Sequence, residues 1–109
     1  MTSPAQELRT AAQTLLDHAD ATAEDIETNT YWHSQIADRE HWYAHGIDNA
    51  LGGPAGKLAG LLSPATAREL AGAFRTWARM GDLDPDLLHR IGGPETLATA
   101  RAINAGSQP

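Results

Sequence analysis

The chain has 109 residues, enough for one domain with a modest core, and no cysteine, which excludes disulfides, zinc–thiolate sites, iron–sulfur clusters and thiol nucleophiles. Eight basic against fourteen acidic residues leave a formal charge of −6, which argues against nucleic acid as a partner, because gripping phosphates needs Lys and Arg. No basic-then-apolar leader opens the sequence and no apolar run approaches the ~18 residues of a membrane span, so the expected setting is the cytoplasm, with no membrane partner.

Ser3 and Pro4 read as an N-cap and a first helical residue. Leu8, Ala11, Ala12, Leu15, Leu16 and Ala19 follow at three- and four-residue spacing, which predicts a helix over about 4–20. Residues 20–31 are polar and acidic. Thr22 and Asp25 suggest a short turn of helix, and Asn29-Thr30 a break. Trp32, Ile36, Tyr43, Ile47 and Leu51 fall on one face and predict a second helix over 32–51, with Gly46 weakening it by up to ~1 kcal/mol relative to Ala. Gly52-Gly53-Pro54 stops that helix and starts a short apolar one. Ser63-Pro64 opens another, running to about Met80 with Leu70, Phe74 and Trp77 inward, and Gly81-Asp82 ends it. Asp84-Pro85 begins a short helix through Leu87, Leu88 and Ile91. Gly92-Gly93-Pro94 begins the last, with Leu97, Ala100 and Ile103 inward.

The sequence has no valine and no run of alternating β-branched or aromatic residues, which speaks against a sheet. The expected fold is therefore all-α: a compact bundle of four to six helices forming one domain over 1–109, frayed at about 1–3 and 105–109. Leu8, Leu15, Ile36, Tyr43, Ile47, Leu70, Phe74, Trp77 and Ile103 form its expected core. LGGP and IGGP read as one punctuation device used twice, not as a duplication, because the leucines that follow fall out of register.

Three features could carry chemistry. His41 and His45, at i and i+4, share a helix face with Asp38 and Asp48. Two imidazoles and one or two carboxylates suit zinc or another divalent metal, and a metal-dependent hydrolase is the enzymatic form of that reading. A solvated face opposite Ile36, Tyr43 and Ile47 explains the same positions without a metal. The zinc-peptidase pattern is broken by Trp42, which stands where a Glu would follow the first His. Arg68, Arg75 and Arg79 lie opposite Leu70, Phe74 and Trp77; they form either a soluble face or a grip for phosphates or an acidic partner, including a small nucleic-acid-binding regulator. Trp42 projects about 120° from its helix's apolar face and suits a homodimer contact. No serine sits in a nucleophile elbow, and GGPAGK lacks the strand and the terminal Ser or Thr of a phosphate loop.

The segments ELRTAAQTLLDHADA, LLSPATARELAGAFRTWA and LATARAINA resemble those of small accessory proteins of high-GC actinobacteria and their phages. The resemblance covers about half the chain. It implies a bacterial or phage cytoplasm and an accessory role, and it carries no activity onto any residue. The leading expectation is a non-enzymatic interaction protein that binds a protein partner or itself as a homo-oligomer.

Overall fold

Three side chains mark helix starts as their sequence context predicts. Ser3 Oγ accepts from the Gln6 amide at 3.1 Å, Ser63 Oγ from the Thr66 amide at 3.2 Å, and Asp84 Oδ1 from the Asp86 amide at 3.1 Å. Each precedes a proline, which supplies a preset φ where the missing N–H costs nothing. The computed structural model describes residues 2–90 and 92–107. These residues form five α-helices and no strand: α1 (Pro4–Thr28), α2 (Trp42–Leu51), α3 (Gly53–Ala59), α4 (Pro64–Leu83) and α5 (Gly93–Gly106). Turns of 3₁₀ helix occupy Thr30–Trp32, Arg39–His41 and Pro85–His89. The chain is all-α, as expected.

The packing falls into two compact units, Met1–Asp17 with Arg68–Pro109, and His18–Ala67. In the first unit α1 contributes Ala5, Leu8, Ala11, Ala12 and Leu15 to a continuous buried face. Ala71, Phe74 and Ala78 of α4, Leu88 of the third 3₁₀ turn, and Leu97 and Ala100 of α5 complete the core. Alanines make up more than half of these buried positions, around the fully buried Leu8 and Phe74. Polar ties lie at the rim: Arg101 Nε donates to Glu7 Oε2 at 2.8 Å, and Asn104 Nδ2 to the Glu7 carbonyl at 3.0 Å.

Several boundaries differ from the sequence reading. Helix α1 runs eight residues further, to Thr28, because Ala19, Thr22, Ala23 and Ile26 prolong its less exposed stripe and no Gly or Pro interrupts it. Gly81 does not end α4. A Cβ there would lie 2.6 Å from Leu88 Cδ1, so this glycine serves close packing. The helix stops at Leu83 because Asp84 is extended (φ −151°, ψ 101°), the conformation that a following proline favours. The segment opened by Pro85 is 3₁₀ helix, and Ile91, expected at its end, lies outside the described residues, as do Gln108 and Pro109 of the expected frayed tail.

The largest difference concerns 32–51, of which only Trp42–Leu51 is α-helix. Ser34 Oγ accepts from the amides of Ile36 (3.1 Å) and Ala37 (3.0 Å), a local turn that competes with helical bonding. Asp38 is then extended (φ −64°, ψ 155°). The wheel that placed Ile36 inward therefore does not apply, and Ile36 is 86% exposed. Of the expected core, Leu8, Leu15 and Phe74 are buried, whereas Tyr43, Ile47, Leu70, Trp77 and Ile103 are half-buried. Urea unfolding should show Leu8→Ala destabilised by about 2–5 kcal/mol, and Ile36→Ala changed by less than about 0.5 kcal/mol.

Candidate functional site

The second unit is organised around aromatic rings. Asn29 Oδ1 accepts from the Tyr31 amide at 3.0 Å and opens the 3₁₀ turn Thr30–Trp32, which reverses the chain after α1. Trp32 Nε1 then donates to Asp25 Oδ2 at 2.7 Å, and His33 Nε2 lies 2.9 Å from the Ile26 carbonyl. Both bonds tie the returning segment to the last turns of α1.

Gly46 receives these rings. A Cβ on Gly46 would lie 2.5 Å from Trp32 Cε3 and 3.3 Å from Tyr31 Cε2, so only glycine admits the indole at this point of α2. Tyr31 Oη donates to the Gly46 carbonyl at 2.6 Å. Tyr31 meets Trp32 edge-on, with centroids 5.2 Å apart, and Trp32 stacks on Tyr43 at 5.8 Å with planes 11° apart. Tyr43 Oη donates to the Ala59 carbonyl at 3.3 Å, which links α2 to α3, and burial pushes its phenol above the ordinary value.

Trp42 belongs to a neighbouring stack. Its ring lies 4.5 Å from that of His33 with planes 26° apart, Arg39 sits over it at 5.2 Å, and its Nε1 donates to the Ala37 carbonyl at 3.2 Å. Arg39 also pairs with Glu27 of α1. The residue that the helical wheel set aside for a partner is thus half-buried and engaged within its own unit.

Of the four residues read as a metal set, Asp38 caps and His41 ends the 3₁₀ turn Arg39–His41, whereas His45 and Asp48 lie on α2. Asp38 and His41 come together with Glu40, the three offering ligand atoms within 4.8 Å of one another, all exposed. His41 Nδ1 is 3.8 Å from Glu40 Oε1. His45 and Asp48, on α2, face other partners: His45 Nε2 is 3.1 Å from Asn49 Nδ2, and Asp48 Oδ2 is 3.1 Å from Lys57 Nζ. An imidazole with two carboxylates is a donor set suited to zinc, and Glu40, on the adjoining 3₁₀ turn, is the member that a continuous helical wheel could not supply.

Asp48 and Lys57 border a shallow cleft of about 340 Å³ between α2 and α3, lined also by Ala44, His45, Gly56, Gly60 and Leu61. Around this hairpin, Leu51, Leu58, Leu61 and Leu62 stand exposed. In the first unit, Arg75 and Arg79 lie on the exposed side of α4, as read from sequence, and Arg68 is likewise exposed. Among the described residues no helix is long and apolar enough to cross a membrane. No protein family, curated protein or solved structure matches the chain.

The fit of Trp32 on Gly46 sets the sign of one substitution. Helix propensity alone would make Gly46→Ala stabilising by up to ~1 kcal/mol. Overpacking against the indole should reverse this and destabilise the protein by about 1–3 kcal/mol, with an altered tryptophan emission spectrum in the folded state, both read from urea titration followed by fluorescence.

Proposed function

We propose that this chain is a cytoplasmic, non-enzymatic accessory protein that pairs with a second copy of itself through the α2–α3 hairpin and the turn that follows it. The observation that carries this reading is a mismatch within His18–Ala67 between what is buried and what is exposed. Its buried positions are Ala19, Gly46, Gly56 and Ala67, none larger than alanine. Tyr31, Ile36, Leu51, Leu58, Leu61 and Leu62 all stand exposed in the same unit. Apolar side chains concentrated on one surface mark an interaction site more often than isolated ones do.

Local geometry gathers three of them. Leu58, Leu61 and Leu62 follow i, i+3, i+4 spacing, and the Leu61 amide donates to the Leu58 carbonyl at 3.1 Å, so the turn continues the face of α3. Charge selects the occupant. Between residues 50 and 67 the one charged side chain is Lys57, and Asp48 neutralises it. Two copies of a chain carrying −6 overall can meet on this surface without repulsion across the contact, and a twofold axis would set the leucines of one copy against those of the other. With Trp42 held by His33, Ala37 and Arg39, the leucines carry the proposed contact.

Sedimentation equilibrium of the purified protein should show a concentration-dependent rise towards twice the monomer mass. A Leu58→Asp/Leu61→Asp double variant should weaken association by at least about tenfold. Its circular dichroism should be unchanged, because these side chains are 72% and 71% exposed. A wild-type chain that stays monomeric at the highest soluble concentration, or a variant that associates equally well, overturns the reading.

A further inference from the structure

Arg9 and Gln13 on α1, and Arg75 and Arg79 on α4, line one surface groove of about 400 Å³ in the first unit. Spacing by four puts each pair on one face of its helix. Arg75 Nη2 donates to Gln13 Oε1 at 3.3 Å, a bond that joins the two walls. Arg9 is steadied by Asp82, and Arg79 by Thr76 Oγ1 at 3.3 Å.

The pairing of charges sets this groove apart. Acidic residues outnumber basic ones in the chain, and Arg9, Arg39, Lys57, Arg90 and Arg101 each reach a carboxylate. Among the described residues, Arg75 and Arg79 bond to the neutral Gln13 and Thr76 and reach no carboxylate, and they lie side by side in the same groove. Guanidinium groups left without a carboxylate in an acidic protein, and brought together from one helix against a third from another, make a local excess of positive charge.

We propose that this groove binds a phosphoryl group, as free phosphate or as a small phosphomonoester. A dianion matches the two unneutralised charges. Its tetrahedral oxygens can accept from several guanidinium forks at once, whereas a carboxylate is planar and fills one fork. The volume suits a phosphoryl headgroup with a few further atoms.

The test is a titration of the intact 109-residue chain, followed through the arginine Nε–Hε resonances, with inorganic phosphate, O-phosphoserine and acetate at constant ionic strength. Saturable shifts at Arg75 and Arg79 with the two phosphoryl compounds, and a weaker response to acetate, are expected. Arg75→Gln and Arg79→Gln should each weaken binding by about tenfold or more, with circular dichroism unchanged. Tighter binding of O-phosphoserine identifies an organic ester as the ligand type, and equal or weaker binding identifies free phosphate. Absence of saturation, an equal response to acetate, or shifts that survive both substitutions overturns the proposal. So does binding of an oligonucleotide whose salt dependence grows with its length, since that is the signature of a polyphosphate backbone.

Discussion

The indole of Trp32 lies against the backbone of Gly46, and most of the second unit follows from that contact. It requires a position without a side chain on α2. It is held from one side by the bond from Trp32 to Asp25 and from the other by the stack on Tyr43. Tyr31 adds its hydroxyl to the Gly46 carbonyl, and Tyr43 passes the link on to Ala59 of α3. Aromatic pairs of this kind contribute roughly 0.5–1.5 kcal/mol each beyond the area they bury. Rings and hydrogen bonds therefore hold the segment between α1 and α4, where an aliphatic core would ordinarily do so.

That choice has a consequence for the leucines. In the first unit Leu8, Leu15, Phe74, Leu88 and Leu97 are withdrawn from water. In the second unit the rings occupy the space against α2, and α3 with its following turn leaves Leu58, Leu61 and Leu62 outside. Burial of a leucine is worth roughly 1.5–3 kcal/mol, so a surface holding several of them in a segment with no net charge has much to gain from a second apolar surface. Interior and surface here express one constraint: whatever the aromatic cluster excludes is what a partner can cover.

Much of the fold was legible in the sequence because its signals are local. Ser3-Pro4, Ser63-Pro64 and Asp84-Pro85 mark starts through side-chain caps, and Gly52 ends α2 with a left-handed φ of 67°. The reading failed where a short-range competitor defeated periodicity. Ser34 captures two amides and breaks the helix that the spacing of Trp32, Ile36 and Tyr43 predicts. The expected metal set rests on that helix, whereas the fold groups Asp38 and His41 with Glu40 and gives His45 and Asp48 other partners. A serine two residues before an isoleucine, in a stretch beginning Asn-Thr-Tyr-Trp, was the available signal. The arginine groove was half legible: Arg75 and Arg79 follow from helical spacing, but Arg9 and Gln13 join them only through packing between residues more than 60 positions apart in sequence.

The central claim is that the apolar surface left by the aromatic cluster in His18–Ala67 is completed by a second copy of the chain. Native-state hydrogen exchange over a range of protein concentrations tests it most directly. Amides of α2, α3 and residues 60–62 should gain protection as concentration rises, while those of Ala71–Ala78 in α4 keep the same protection throughout. Protection in α2 and α3 that does not change with concentration, or that changes equally in both units, would contradict the account.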